Sequence, residues 1–96
     1  MTELARLTRN YRTAFLRYLS RRDEVPLNAG YELGRSAVAA GISILDLARV
    51  HHVVLLEVLM ETPRDDLNAV GTAAGDFFVE VLATYDMAQR GFLERS

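Results

Sequence analysis

Two adjacent histidines, His51 and His52, are the first residues of this 96-residue chain to test for chemistry, as metal ligands or general bases. On a helix, neighbouring side chains point about 100° apart, so the pair cannot close on one ion. A metal site would place a second His one turn on, near a carboxylate, and those positions hold Leu55 and Leu56. The other reading of His51 is a hydrogen-bonded imidazole on a core helix. Asp65 and Asp66 read as partners of a helix dipole, and Glu80 and Asp86 as single polar positions, so no paired carboxylates emerge for acid–base work. Ser20, Ser36, Ser43 and Ser96 lack a nearby His or Lys in any nucleophile motif. Gly71, Gly75 and Gly91 follow no strand and make no phosphate loop. With no cysteine, disulfides, thiolate nucleophiles and Cys-based metal sites are excluded. The expectation is a non-enzyme without catalytic residues, metal or cofactor.

Half of the residues are hydrophobic and a quarter charged, which places the chain among globular proteins, and its length suits one domain, residues 1–96. Asp46, Arg49, His51, His52, Glu57 and Glu61 interrupt the most apolar stretch, so no membrane span and no signal peptide is read, and a cytoplasmic address is expected. All eleven basic residues are Arg, a bias read as GC-rich coding. Residues 1–22 carry six Arg against Glu3, net +5; residues 23–96 carry five Arg against twelve acids, net −7. The basic end could lie on phosphates, but its aromatic residues sit on the apolar stripe, unavailable for base stacking, and the whole chain is acidic. No nucleic-acid partner is expected.

The elements that must position these residues are four helices. Leu4, Leu7, Tyr11, Ala14, Phe15, Tyr18 and Leu19 recur at steps of three and four, predicting a helix over Glu3 to Arg21. Asp23 to Pro26 predicts a loop. A second helix is expected from Leu27 to Ala40, with Gly30, Gly34 and Ala37 on one side for close approach of another helix, and Gly41 as its stop. Ser43 and Asp46 resemble a capping box opening a third helix, Ile44 to Glu61, apolar nearly all round and so expected at the centre. Thr62 reads as an N-cap with Pro63 at the first helical position. The last and longest helix is expected to reach about Phe92 along Leu67, Val70, Ala74, Phe77, Phe78, Val81, Leu82, Tyr85 and Ala88. The fold class is all-α, a compact four-helix module.

Four short helices with surplus apolar surface point to a protein whose business is contact. Leu16, Val50, Val53, Val79 and Met87 are the residues expected on or near a surface, and a homodimer or partner groove is the reading preferred. The dimer interface is assigned to Leu7, Tyr11, Phe15, Tyr18, Gly30 and Gly34. The competing class is a stand-alone sensor holding a small apolar ligand between the third and fourth helices.

Tyr11, Tyr18, Gly41, His51 and the run DFFVEVLATYDMA, residues 76–88, resemble the N-terminal domain of RsbU, the phosphoserine phosphatase regulator of the bacterial general stress response. The stretch 85–92 also resembles modules found ahead of phosphatase and sensor-kinase domains. The resemblance covers nearly the whole chain, and its last run is the specific part. It implies a dimeric all-α module that binds a kinase-fold switch protein (RsbT-like). Binding would control a PP2C-type phosphatase acting on an anti-sigma-factor antagonist, the catalytic domain lying elsewhere, in the same parent chain or another. The partner surface it implies falls at Glu24, Asn28, Val79 and Ala83. Asn28 stands where an aromatic is expected, and Ala83 is smaller than the aliphatic it replaces.

Overall fold

A computed structural model describes residues 2–21 and 24–95, with the backbone alone at 24–27 and 92–95. Four α-helices follow in order: α1 (Glu3–Arg21), α2 (Glu24–Ala39), α3 (Ile44–Met60) and α4 (Leu67–Arg95), the last preceded by a 3-10 turn at Arg64–Asp66. No strand occurs among the described residues. Thr2 opens α1, its hydroxyl oxygen accepting the Ala5 N–H at 3.0 Å. Gly41, at φ 73°, closes α2: its N–H bonds the Val38 carbonyl and the Ile42 N–H that of Ala37, the paired bonds of a left-handed helix stop. Ser43 Oγ accepts the Asp46 N–H at 3.1 Å and opens α3.

Two boundaries differ from expectation. α2 starts at Glu24, so Pro26 lies inside its first turn and not in a loop. An N–H there has no helical acceptor, so proline's missing donor is not felt. Thr62 does not cap the last helix; its hydroxyl donates back to the Val58 carbonyl at 2.6 Å and finishes α3. Pro63 then leads the 3-10 turn with no side-chain cap, and Asp65 and Asp66 lie in that turn.

The centre of the molecule is the crossing of α2 with α4, the most extensive helix pair, which α1 covers. Phe77, Val81 and Ala74 of α4 meet Leu33 and Ala37 of α2 and Leu7, Tyr11, Ala14 and Phe15 of α1 in one core. Phe77 stands amid Tyr11, Phe15 and Tyr18, ring centroids 5.3 to 5.6 Å away. The expectation that α3 is central does not hold. It buries Leu47, Val50 and Val54 along one side, against α1 and α4, and leaves its other side open. Val50, expected at the surface, belongs to that buried side. Apolar count ranks a helix by its hydrophobicity, but the centre went to the helices whose small residues allow the closest approach.

The residues assigned from sequence to a dimer seam lie inside the single chain. Leu7, Tyr11 and Phe15 are core residues, Tyr18 is half-buried, and Gly30 and Gly34 face α4 of the same chain. A Cβ on Gly34 would meet Thr84 Oγ1, the Val81 carbonyl oxygen and, at 2.7 Å, the Tyr85 nitrogen. The small-residue crossing is real, and its partner is α4.

Candidate partner-binding face

Because Gly34 lets α2 settle onto the α4 backbone, the two helices border a shared groove. On α4, Val79, Ala83 and Met87 succeed one another at one-turn spacing and all point to solvent, with Val79 62% and Met87 63% exposed. On α2, Asn28, Tyr31 and Arg35 stand exposed at steps of three and four. Asn28, Tyr31, Glu32, Arg35, Thr84, Met87 and Ala88 line a shallow groove of about 610 Å³ between the two helices. Glu24 is the first residue of α2, one turn before Asn28; its side chain lies outside the described residues. Three of the four residues assigned to a partner surface are thus exposed on neighbouring flanks of one helix pair.

The floor of this face makes no polar demand on a visitor. Thr84 is buried, and its hydroxyl donates within its own helix, to the Val81 carbonyl at 3.1 Å and the Glu80 carbonyl at 3.3 Å. The rim is charged: Arg35 pairs loosely with Glu32 at 3.9 Å, Asp86 with Arg90 at 3.2 Å, and Asp76 and Glu80 flank Val79. Such an arrangement offers an apolar contact framed by charged residues, a surface for a protein and not a reaction vessel. Sequence reasoning missed Tyr31 and Arg35. The three-residue step from Asn28 to Tyr31 was the available signal, but which face of α2 borders α4 is decided by the Gly34 crossing.

The histidines are split by the fold. His52 is exposed, whereas His51 is half-buried between α1 and α4, its ring stacked on Phe78 with centroids 4.0 Å apart. Its Nδ1 lies 2.8 Å from the Tyr11 hydroxyl, which donates when that nitrogen is bare and accepts when it carries the proton. Burial pushes the Tyr11 phenol well up, so it stays neutral. Among the described residues, no three His, Asp or Glu side chains gather as a metal site, and no helix is long and apolar enough to cross a membrane.

Burial, with a smaller electrostatic push from His52, lowers the His51 pKa below the ordinary imidazole value. The unfolded chain therefore takes up this proton at higher pH than the folded one. The stability His51 contributes is present above about pH 6.5 and is lost as pH falls through the depressed folded value. Thermal melts at about pH 7.5 and pH 5 should show a lower midpoint in acid, and His51→Gln should flatten that difference. An equal pH slope in the variant would exclude His51 as its source. The carboxylate of Glu57, held down by the Arg12 guanidinium bonded to both its oxygens at 2.7 and 2.9 Å, acts only at lower pH and stays out of this window.

An apolar flank framed by charges on a four-helix fold suits a docking module, and comparison with known families decides which. The family model for the N-terminal domain of the phosphoserine phosphatase RsbU matches residues 9–88. The chain belongs to that family. Comparison with curated proteins and with solved structures gives no match. An RsbU N-terminal domain is the regulatory part of an RsbU-type phosphatase and not its catalytic part. The match spans Asn28, Gly34, His51 and the whole Val79 to Met87 stripe, so both flanks of the face lie within the RsbU-like region.

Proposed function

We propose that this chain is a non-catalytic, cytoplasmic regulatory module of the bacterial stress response. It works as a homodimer and docks a kinase-fold switch protein (RsbT-like) on the α2 and α4 flanks. Docking there controls a PP2C-type phosphatase that acts on an anti-sigma-factor antagonist. Family membership supports the regulatory role, and the observation that carries the docking site is the solvent-facing stripe of Val79, Ala83 and Met87 beside Asn28. Glu24 joins the site as the acid opening α2. Isolated exposed hydrophobes need no explanation, but three at one-turn spacing, the last of them lining a groove, make an anchor.

Val79→Arg tests it. The side chain is mostly in water, so the substitution should leave the circular-dichroism melt within about 0.5 kcal/mol of the parent. Affinity for a purified RsbT-like partner, measured by titration calorimetry, should fall about 30-fold or more, the loss typical of a central apolar anchor. An unchanged affinity in the folded variant removes the α4 stripe from the docking site.

A further inference from the structure

α3 carries a second apolar face that none of the described residues covers. Leu45 is 68% exposed, Val53 46%, Leu56 48% and Met60 86%. With Arg49 they recur at steps of four, four, three and four, one stripe along the 17-residue helix, opposite Leu47, Val50 and Val54. Contiguous apolar surface of this kind on a small chain marks an interface. The charges bordering it are ordered along the axis. Arg49 lies in the N-terminal half, paired to Asp46 at 3.5 Å, and the acids Glu57 and Glu61 lie in the C-terminal half and just past its end.

That order is self-complementary in one orientation. A parallel neighbour would set Arg49 against Arg49. An antiparallel copy, related by a two-fold axis at Val53, sets Arg49 opposite Glu57, and Leu45 beside the copy's Met60 and Glu61. Opposed helix dipoles add to the attraction. The bonds from Arg12 hold the Glu57 carboxylate at the border of the stripe. Beside it, Arg12, Leu16, Glu57, Val58, Glu61 and Thr62 line a shallow groove of about 370 Å³ that adjoins the end where the copy's Leu45 arrives. The acids on this border disfavour an anionic lipid surface as occupant. We infer that a second copy of this chain docks on α3 in antiparallel register, with Val53 at the two-fold axis. The inference rests on the proposed dimer and moves its seam to α3 from the α1 and α2 residues first assigned to it, which pack within the chain.

The chain has no cysteine, so crosslinking reports the seam directly. Antiparallel helices about 8–10 Å apart bring the axial residues within disulfide reach. Val53→Cys under mild oxidation should convert most of the chain to a covalent dimer. Leu45→Cys and Met60→Cys should each crosslink poorly alone and readily when mixed. In sedimentation, Leu56→Glu, at a half-exposed position that leaves the helical spectrum intact, should weaken the dimer about 30-fold or more. A dimer that Leu56→Glu does not perturb and Val53→Cys does not trap overturns the α3 seam while the dimeric reading stands. Leu45→Cys crosslinking alone, with Val53→Cys silent, overturns the antiparallel register. A monomer mass that persists at millimolar concentration overturns both the seam and the dimer, leaving partner docking to be judged by Val79→Arg.

Discussion

Adding one methyl group at Gly34 should destabilise the fold by about 3 kcal/mol or more and lower the melting temperature by roughly 12–24 °C, since 1 kcal/mol shifts a domain of this size by about 4–8 °C. The new carbon would collide with Thr84 Oγ1, which can rotate, but also with the Val81 carbonyl oxygen and the Tyr85 nitrogen, which are backbone and cannot. Relief requires α2 and α4 to separate, opening the most extensive helix contact in the molecule. Gly30→Ala provides the contrast from one turn away. Its methyl would sit 3.4 Å from a Phe77 ring carbon and 3.5 Å from Val81, ordinary packing distances. Replacing a mid-helix glycine there should stabilise by about 0.5–1 kcal/mol through helix propensity alone. Thermal melts of the two variants should move in opposite directions. A Gly34→Ala protein melting with the parent would show that the helices do not cross this closely.

The second large effect is expected at Phe77. Its ring is fully buried, edge-on to Tyr11 and tilted against Phe15 and Tyr18. Phe77→Ala removes the centre of that cluster and should cost about 3–5 kcal/mol, much of the total for a domain whose stability is of order 5–15 kcal/mol. Tyr11 also loses the surface that sets its angle toward His51, so hydrogen-bond loss adds to the cavity. Phe77→Leu, which refills most of the volume, should recover more than half of the loss. Urea unfolding should show the midpoints in the order parent, Leu, Ala with a common slope. An Ala variant within about 1 kcal/mol of the parent would place Phe77 outside the core.

The sequence carried local signals well. The α1 limits, the Ser43 cap, the Gly41 stop and the long last helix come from period and capping chemistry, which depend on neighbours a few residues away. Thr62 misled because one hydroxyl can either cap the next helix or bond back to the last, and the choice depends on the path after Pro63. The place of α3 misled for a different reason: a helix apolar on most sides shows no period that says which side is covered. The glycines of α2 announced a close crossing and could not say whether a second copy or α4 makes it. In the docking face, Val79 and Ala83 were legible through the resemblance to the RsbU family, and Val79 also as surplus apolar surface. Tyr31 and Arg35 became visible only once the register of α2 over α4 was known.

The contact at Gly34 is placed where a fulcrum would be. α4 has 29 residues and so runs about 44 Å, nearly the 49 Å length of the molecule, and it meets α2 most tightly around Thr84. From that point the helix extends about 16 Å to Arg95 and about 25 Å to Leu67. Rocking α4 by about 10° there would swing the backbone at Arg95 by about 3 Å and at Leu67 by about 4 Å in the opposite sense. Thr84 spends its hydroxyl inside α4, so such a tilt breaks no hydrogen bond from that side chain to α2. The strut that resists it is the Tyr85 hydroxyl, which donates to the Ile42 carbonyl at 2.8 Å and ties α4 to the turn beyond Gly41. A visitor pressing on Val79 or on Met87 would push on opposite sides of that contact.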